Sequence, residues 1–281
     1  MIWVSKNVVE QLKIEKFFSL FEVHYENGYD FAGETHNFWE CVYILDGSLC
    51  VSGDERVYNL TKGEIVFHKP LELHKLNVNN EQGATLLIFS FSMEGRLVDR
   101  LKNRVFRLSQ EQEQIVSSML EYVRKKWREL EITEAVTPYQ KYLMPCDTMP
   151  AYAQILTTYI YRLFLSLIDD GSLSNVSTAG DALIFGRAVN YMNSQICCKL
   201  SVGEIADFCN VSEASLKRIF SKYAGISVHK YFSKLKIQTA AELLRNGLNV
   251  TETAERLDYG SQAYFSAVFK RETGVCPSEL K

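Results

Sequence analysis

The chain has 281 residues, with 47% hydrophobic and 23% charged side chains, a balance that excludes a disordered chain and a multi-pass membrane protein. The length suggests about two domains, each able to bury its own core. The net charge of −3 hides an asymmetry: residues 1–181 hold 18 basic against 25 acidic side chains, net −7, and residues 182–281 hold 13 against 9, net +4, which points to a polyanion partner for the C-terminal part.

The N-terminus, Met1-Ile2-Trp3-Val4-Ser5-Lys6-Asn7, carries no basic region followed by an apolar run, so no secretory signal is expected. Seven cysteines, an odd number without a C-x-x-C, suggest reduced thiols in a cytoplasmic protein.

Residues 1–100 read as short strands at 8–12-residue spacing. Phe17 to Tyr25 is one. Cys41 to Leu45 ends at Asp46-Gly47, a turn signal, and Ser48 to Ser52 follows. Arg56 to Leu60, Ile65 to Phe67 and Thr85 to Phe91 complete a pattern typical of a sandwich or small barrel.

The period changes at Ser109, a candidate N-cap. Ile115, Met119, Leu120, Val123 and Trp127 then repeat at helical spacing. Ile132 to Pro150 reads as an irregular excursion, and Ala151 to Ile168 as a second helix with a wide apolar stripe: Ile155, Leu156, Tyr159, Ile160, Leu163, Phe164 and Leu167. Arg162 and several polar residues argue against a membrane span. So broad a stripe suggests that one face packs on the strands and the other on a second copy, giving a homodimer. Gly171 to Gly180 is a Ser/Gly/Asn-rich linker. The expected boundaries are a domain over 1–170, a linker over 171–181 and a helical domain over 182–281.

The helical part contains a repeat. Ile205-Ala206, Ser212, Leu216, Phe220 and Gly225 recur as Thr253-Ala254, Ser261, Phe265, Phe269 and Gly274, about 49 residues on. Each copy reads as a short helix with a small crossing residue, a tight turn and a Ser-capped second helix. This is a helix-turn-helix, whose second helix enters a DNA major groove. Ser201 is the cap of the first short helix, Val202 to Cys209, and Asn210 occupies a turn position needing positive φ. The DNA-facing set is Ser212, Ala214, Ser215, Lys217, Arg218 and Lys222 in the first copy. In the second it is Ser261, Gln262, Ser266, Lys270 and Arg271. The helix Val228 to Leu244 joins the two units.

Across Ala188 to Lys281 this pattern resembles the AraC/XylS family of transcription regulators, on Ile205-Ala206, Ser212, Leu216-x-Arg218-x-Phe220, Gly225, Tyr231, Ala240, Leu243-Leu244, Ala254, Tyr264-Phe265, Phe269-Lys270, Gly274 and Pro277. The resemblance implies that Ala214, Lys217, Arg218, Gln262 and Ser266 approach bases. Departures are Asn210 and Asp258 in place of the family's turn glycines, Lys236 in place of an Arg on the joining helix, and Ala267 in place of an Arg on the second reading helix, so the second unit is expected to contribute mainly phosphate contacts.

The front part resembles a cupin: His36, then Glu40, then Gly47, with His74 downstream and Glu34 where the cupin pattern has a further His. The resemblance implies an α+β chain: a cupin-like barrel with two dimerisation helices, then an all-α domain with two helix-turn-helix units. Two imidazoles and two carboxylates would suit Fe, Mn or Zn, but with one His replaced, these residues are read as pocket groups satisfied by hydrogen bonds, and neither metal nor cofactor is expected. His36, Trp39, Glu40, Tyr43, His68 and His74 are the candidate effector-binding residues, a set that would suit a small molecule such as a sugar. The function expected is a non-enzymatic, sequence-specific transcription regulator, an activator controlled by a small molecule. Its partners would be double-stranded DNA, the effector, a second copy and RNA polymerase. Two rivals remain: a metal-dependent cupin enzyme with a helical appendage, and a regulator controlled by a protein partner.

Overall fold

The computed structural model describes residues 5–7, 9–54, 56–130, 137–173 and 180–280. Seven strands lead the chain: β1 (Lys13–Tyr25), β2 (Trp39–Gly53), β3 (Arg56–Thr61), β4 (Glu64–His68), β5 (His74–Asn77), β6 (Ala84–Glu94) and β7 (Val105–Arg107). All of their pairings are antiparallel, and β2 organises them. Its first half pairs with β6 and β4, and its second half, from Ser48, pairs with β3 and β5. Two sheets therefore share one strand and wrap one apolar core, in which Val42, Ile44, Val66 and Ile88 meet Leu49, Val51, Leu60 and Leu76.

The Asp46-Gly47 signal is a corner, not a hairpin. The register of β2 against β6 shifts between Ile44 and Asp46, and Gly47 takes φ +78. This bulge bends the strand from one sheet into the other. A side chain at Gly47 would overlap the Gly83 carbonyl, so the same spot also needs the close approach that only glycine permits.

Alternation along β2 sorts its side chains. Val42 and Ile44 point into the barrel, while Trp39, Cys41 and Tyr43 face a second core built with α1 (Gln110–Arg128) and the later α3 (Tyr152–Asp170). Ser109 caps α1 in a capping box with Gln112. The excursion contains a 3₁₀ segment, Pro138–Leu143, and the short α2 (Pro145–Thr148); residues 131–136 lie outside the described residues. On α3, Leu156, Ile160, Leu163, Phe164 and Leu167 are buried, whereas Ile155 and Leu165 are exposed.

Ser172–Leu173, expected at the start of the linker, forms β8 and pairs with β7. The expected linker otherwise falls largely on residues 174–179, which lie outside the described residues. From α4 (Asp181–Ser194) the chain is helical: α5 (Val202–Cys209), α6 (Glu213–Ala224), α7 (Val228–Arg245), α8 (Val250–Arg256) and α9 (Gln262–Thr273).

The two parts share a seam. Val57 and Leu73 of the barrel join the core of α4 to α7, and Leu71 joins the core of α7 to α9. Side-chain hydrogen bonds cross it. Ser52 donates to the Tyr223 carbonyl, and the Tyr231 hydroxyl to the Asp54 carbonyl at 2.8 Å. Gln238 donates to the Leu71 carbonyl, and Lys234 Nζ to Thr35 Oγ1 at 3.0 Å.

Candidate nucleic-acid interface and the barrel cluster

Each half of the repeat is built by local capping. Ser201 and Glu204 form a capping box at the start of α5, and Asn249 and Glu252 do the same for α8. Asn210 ends α5 at φ 56, and Asp258 follows α8 at φ 55. Both are residues that enter the left-handed region at small cost, which is how the turns close without glycine. The second helices are capped alike: Ser212 Oγ accepts from the Ser215 amide at 3.1 Å, and Ser261 Oγ from the Tyr264 amide at 3.2 Å.

The buried faces of α6 and α9 match. Leu216, Ile219 and Phe220 on one correspond to Phe265, Val268 and Phe269 on the other. That fixes the opposite faces in solvent. Ser212, Ala214, Lys217, Arg218 and Lys222 are exposed, as are Ser261, Gln262, Lys270 and Arg271, while Ser215 and Ser266 are half-buried. Lys217 pairs with Glu213 at 2.8 Å and Arg218 with Asp181 at 3.0 Å. Exposed pairs of this kind contribute little to stability, so both cations can exchange these partners for a phosphate or a base edge. A feature without a role in the sequence reading is Tyr264, 62% exposed at the N-terminal end of α9. The spacing gave it a motif position, and only the structure turns its ring outward, where an aromatic ring can contact a sugar or a thymine methyl.

Lys236 is a further departure whose role the structure explains. It is buried on α7, and its ammonium donates to the Leu257 carbonyl at 2.8 Å, at the end of α8. It also lies over the rings of Phe232 and Tyr259. Burial pushes its pKa down, against the pull of Asp258. Lys236→Ala removes a charged donor from a carbonyl that ends a helix, so the second unit should lose about 2 kcal/mol of stability. Chemical denaturation of the full chain measures this, and a change within 0.5 kcal/mol would show that the bond contributes nothing.

In the barrel, Glu40 on β2 faces His68 on β4 in register, and His74 opens β5. Their strands' alternation turns all three inward. Glu34 is joined to His74 by two backbone bonds of 3.0 and 3.1 Å, which brings the 34–36 segment across the same end of the barrel. His36 Nε2 lies 3.8 Å from Glu40, and His74 Nε2 lies 3.4 Å from Glu40 and 3.6 Å from Glu34. The His74 ring stacks on His68, whose Nδ1 bonds Glu72 at 2.8 Å. Burial works to raise the Glu40 carboxyl, yet the facing imidazoles of His36 and His74 hold it well below the usual carboxylate range. Burial likewise works to lower His74, and Glu34 and Glu40 pull it up to about 10.

Among the effector candidates, the structure brings together His36, Glu40, His68 and His74. It does not bring Trp39 and Tyr43 to them, because these occupy the other parity of β2 and pack against the helices. Trp39 instead lines a cavity of about 380 Å³ with Phe38, Lys69, Gln238, Glu242 and Arg245, between the barrel and α7.

Comparison with known proteins agrees with both halves. The family description "AraC-like ligand binding domain" matches residues 19–130, and "Helix-turn-helix domain" matches residues 205–281. The chain belongs to the AraC family of transcription regulators. The HTH-type transcriptional regulator YfiF of Bacillus subtilis is 24% identical over 92% of this chain and 82% of its own. The HTH-type transcriptional activator RhaR of Cronobacter sakazakii is 24% identical over 88% and 85%. Among solved structures, ToxT from Vibrio cholerae O395 aligns with 96% of each chain at 13% identity and a TM-score of 0.38.

For this AraC-family regulator, the contacts that sequence reasoning missed lie in the seam. Ser52, Gln238, Lys234 and Tyr231 join positions far apart in the chain, and no local pattern marks such pairs. Among the described residues, no helix is long and apolar enough to cross a membrane.

Proposed function

We propose that this AraC-family regulator reads duplex DNA through α6 and α9 and that a small ligand held by His36, Glu40, His68 and His74 sets the orientation of the reading helices. The observation that carries the second half is the position of the cluster. Its 34–36 segment continues from Ala32 and Gly33, which pack against the backbone of Ala224 and Gly225 at the end of α6. A ligand that favours one position of this segment therefore favours one arrangement of the seam, with differential affinity as the only force required. Activation is the sign adopted, in keeping with the similar activator RhaR. The exposed Ile155 and Leu165 on α3 support a homodimer through the helices beside the barrel, which would place two reading pairs on one operator. RNA polymerase would be the further partner of such an activator in the cytoplasm.

The DNA half is tested by changing Lys217 and Arg218 together to alanine and measuring fluorescence anisotropy on the duplex upstream of the protein's own gene. Two lost groove contacts should weaken binding by about 100-fold. The wild-type affinity should fall steeply with salt, with a log–log slope near −0.9 for each phosphate neutralised. A double variant that binds like the wild type removes α6 as a reading helix.

A further inference from the structure

We propose that Glu34, His36, Glu40 and His74 form a binding site for one first-row divalent metal ion of the Mn²⁺ to Zn²⁺ series. One donor atom from each lies within 4.8 Å of the others, drawn from β2, β5 and the 34–36 segment. The closest carboxylate–imidazole separations, 3.4, 3.6 and 3.8 Å, are longer than a well-formed N–H···O hydrogen bond. They match ligands that share an ion. Two donors each about 2.0–2.2 Å from a metal stand roughly 3–3.6 Å apart when adjacent.

The imidazoles are already in the ligating orientation. His36 Nδ1 bonds the Phe38 carbonyl at 2.9 Å, and His74 Nδ1 bonds the Glu72 carbonyl at 3.2 Å. A carbonyl oxygen only accepts, so Nδ1 holds a proton in both rings and Nε2 faces the carboxylates, where an arriving metal ion would displace the proton of His74. Both Nε2 atoms are buried and, among the described residues, have no hydrogen-bond partner. The expectation that hydrogen bonds satisfy these groups therefore fails at these two nitrogens. Native proteins rarely leave such atoms orphaned unless something else meets them. Glu34, whose side chain is 48% exposed, supplies a carboxylate oxygen where the cupin pattern has a nitrogen, and leaves the site an entry from solvent. Two imidazoles and two carboxylates suit this metal series; magnesium and calcium prefer all-oxygen sites, and no thiolate is in the set, Cys41 facing the other side of β2.

Metal drawn to these four donors would pull the 34–36 segment toward Glu40, and that segment adjoins the seam at Ala224 and Gly225. In its regulatory sense the inference rests on the effector reading above; as a binding site it stands without it.

The test uses the full chain, stripped with chelator and titrated with Zn²⁺ and Mn²⁺ by calorimetry, with Co²⁺ absorption as a second readout of coordination. One equivalent should bind. His74→Gln and Glu40→Gln should weaken it by about 100-fold or more, and Glu34→Gln by roughly 10-fold. Glu34 is half in solvent, so its variant keeps the test open if the buried variants fail to fold. Binding well below one equivalent, or binding indifferent to Glu34→Gln and His36→Gln, overturns the site. DNA anisotropy with stripped and loaded protein separates the two ideas. One bound ion with unchanged DNA affinity keeps the site and removes the effector reading. No bound ion, with DNA affinity that shifts on adding sugars from an aldopentose and aldohexose panel, does the reverse.

Discussion

Gly225→Ala is expected to break the seam between barrel and helices, while Gly274→Ala, at the equivalent place in the repeat, leaves it intact. Both glycines cap the second helix of their unit with positive φ, +67 and +80. A methyl group at either one costs about 1 kcal/mol or somewhat more in backbone strain. At Gly274 none of the described residues lies within reach of that methyl, but at Gly225 it would overlap the Ala32 carbonyl oxygen. Backbone on both sides leaves no flexible side chain to yield, so the overlap adds a further 1–3 kcal/mol or is relieved by separating the two parts. Urea unfolding should show a loss of about 3 kcal/mol for Gly225→Ala against about 1 kcal/mol for Gly274→Ala. Limited proteolysis should cleave the first variant faster between barrel and α4. Its DNA affinity should also stop responding to the ligand. Equal losses for the two glycines would mean that the seam does not hold in solution.

Phe220→Ala should have the largest effect of any single change in the reading unit. Its ring is fully buried, 5.0 Å from Phe185 and 5.2 Å, edge-on, from Tyr231. Truncating such a ring costs about 3–5 kcal/mol through lost burial and the cavity left behind, a large share of the 5–15 kcal/mol that holds a typical domain. The loss would extend beyond α6, since Tyr231 also anchors the seam through Asp54. Tyr264→Ala serves as the contrast. Its ring is exposed, so stability should change by less than about 0.5 kcal/mol while DNA affinity falls. Thermal and urea denaturation of the two variants checks the contrast, and a Phe220→Ala loss under 1 kcal/mol would disprove the packing described.

The reading helices were legible because their signals are local. A cap, its amide, a left-handed turn residue and an inward i, i+4 pair lie within about twenty residues, so Ser201, Asn210, Ser212 and Phe220 sit as their spacing predicts. The barrel site was legible only in part. His36, Glu40 and His74 form one cluster, but Trp39 and Tyr43 were grouped with them by sequence proximity, and the two-residue period of a strand sends neighbours to opposite faces. Asp46-Gly47 misled for a related reason: the same dipeptide serves a hairpin or a bulge, and which one forms depends on whether β6 continues alongside.

The amino-acid sequence by itself determined the two-part organisation, the twin helix-turn-helix units and their solvent-facing cations, because hydrophobic period, capping and charge balance act over short stretches. Only the tertiary structure decided that the barrel and the first unit share one core, that Gly225 is pinned beneath Ala32, and that two buried imidazole nitrogens converge on two carboxylates without a hydrogen-bond partner. Those features join residues that are distant in the chain. They exist only when two folded surfaces meet, and no local propensity encodes where such surfaces come to rest.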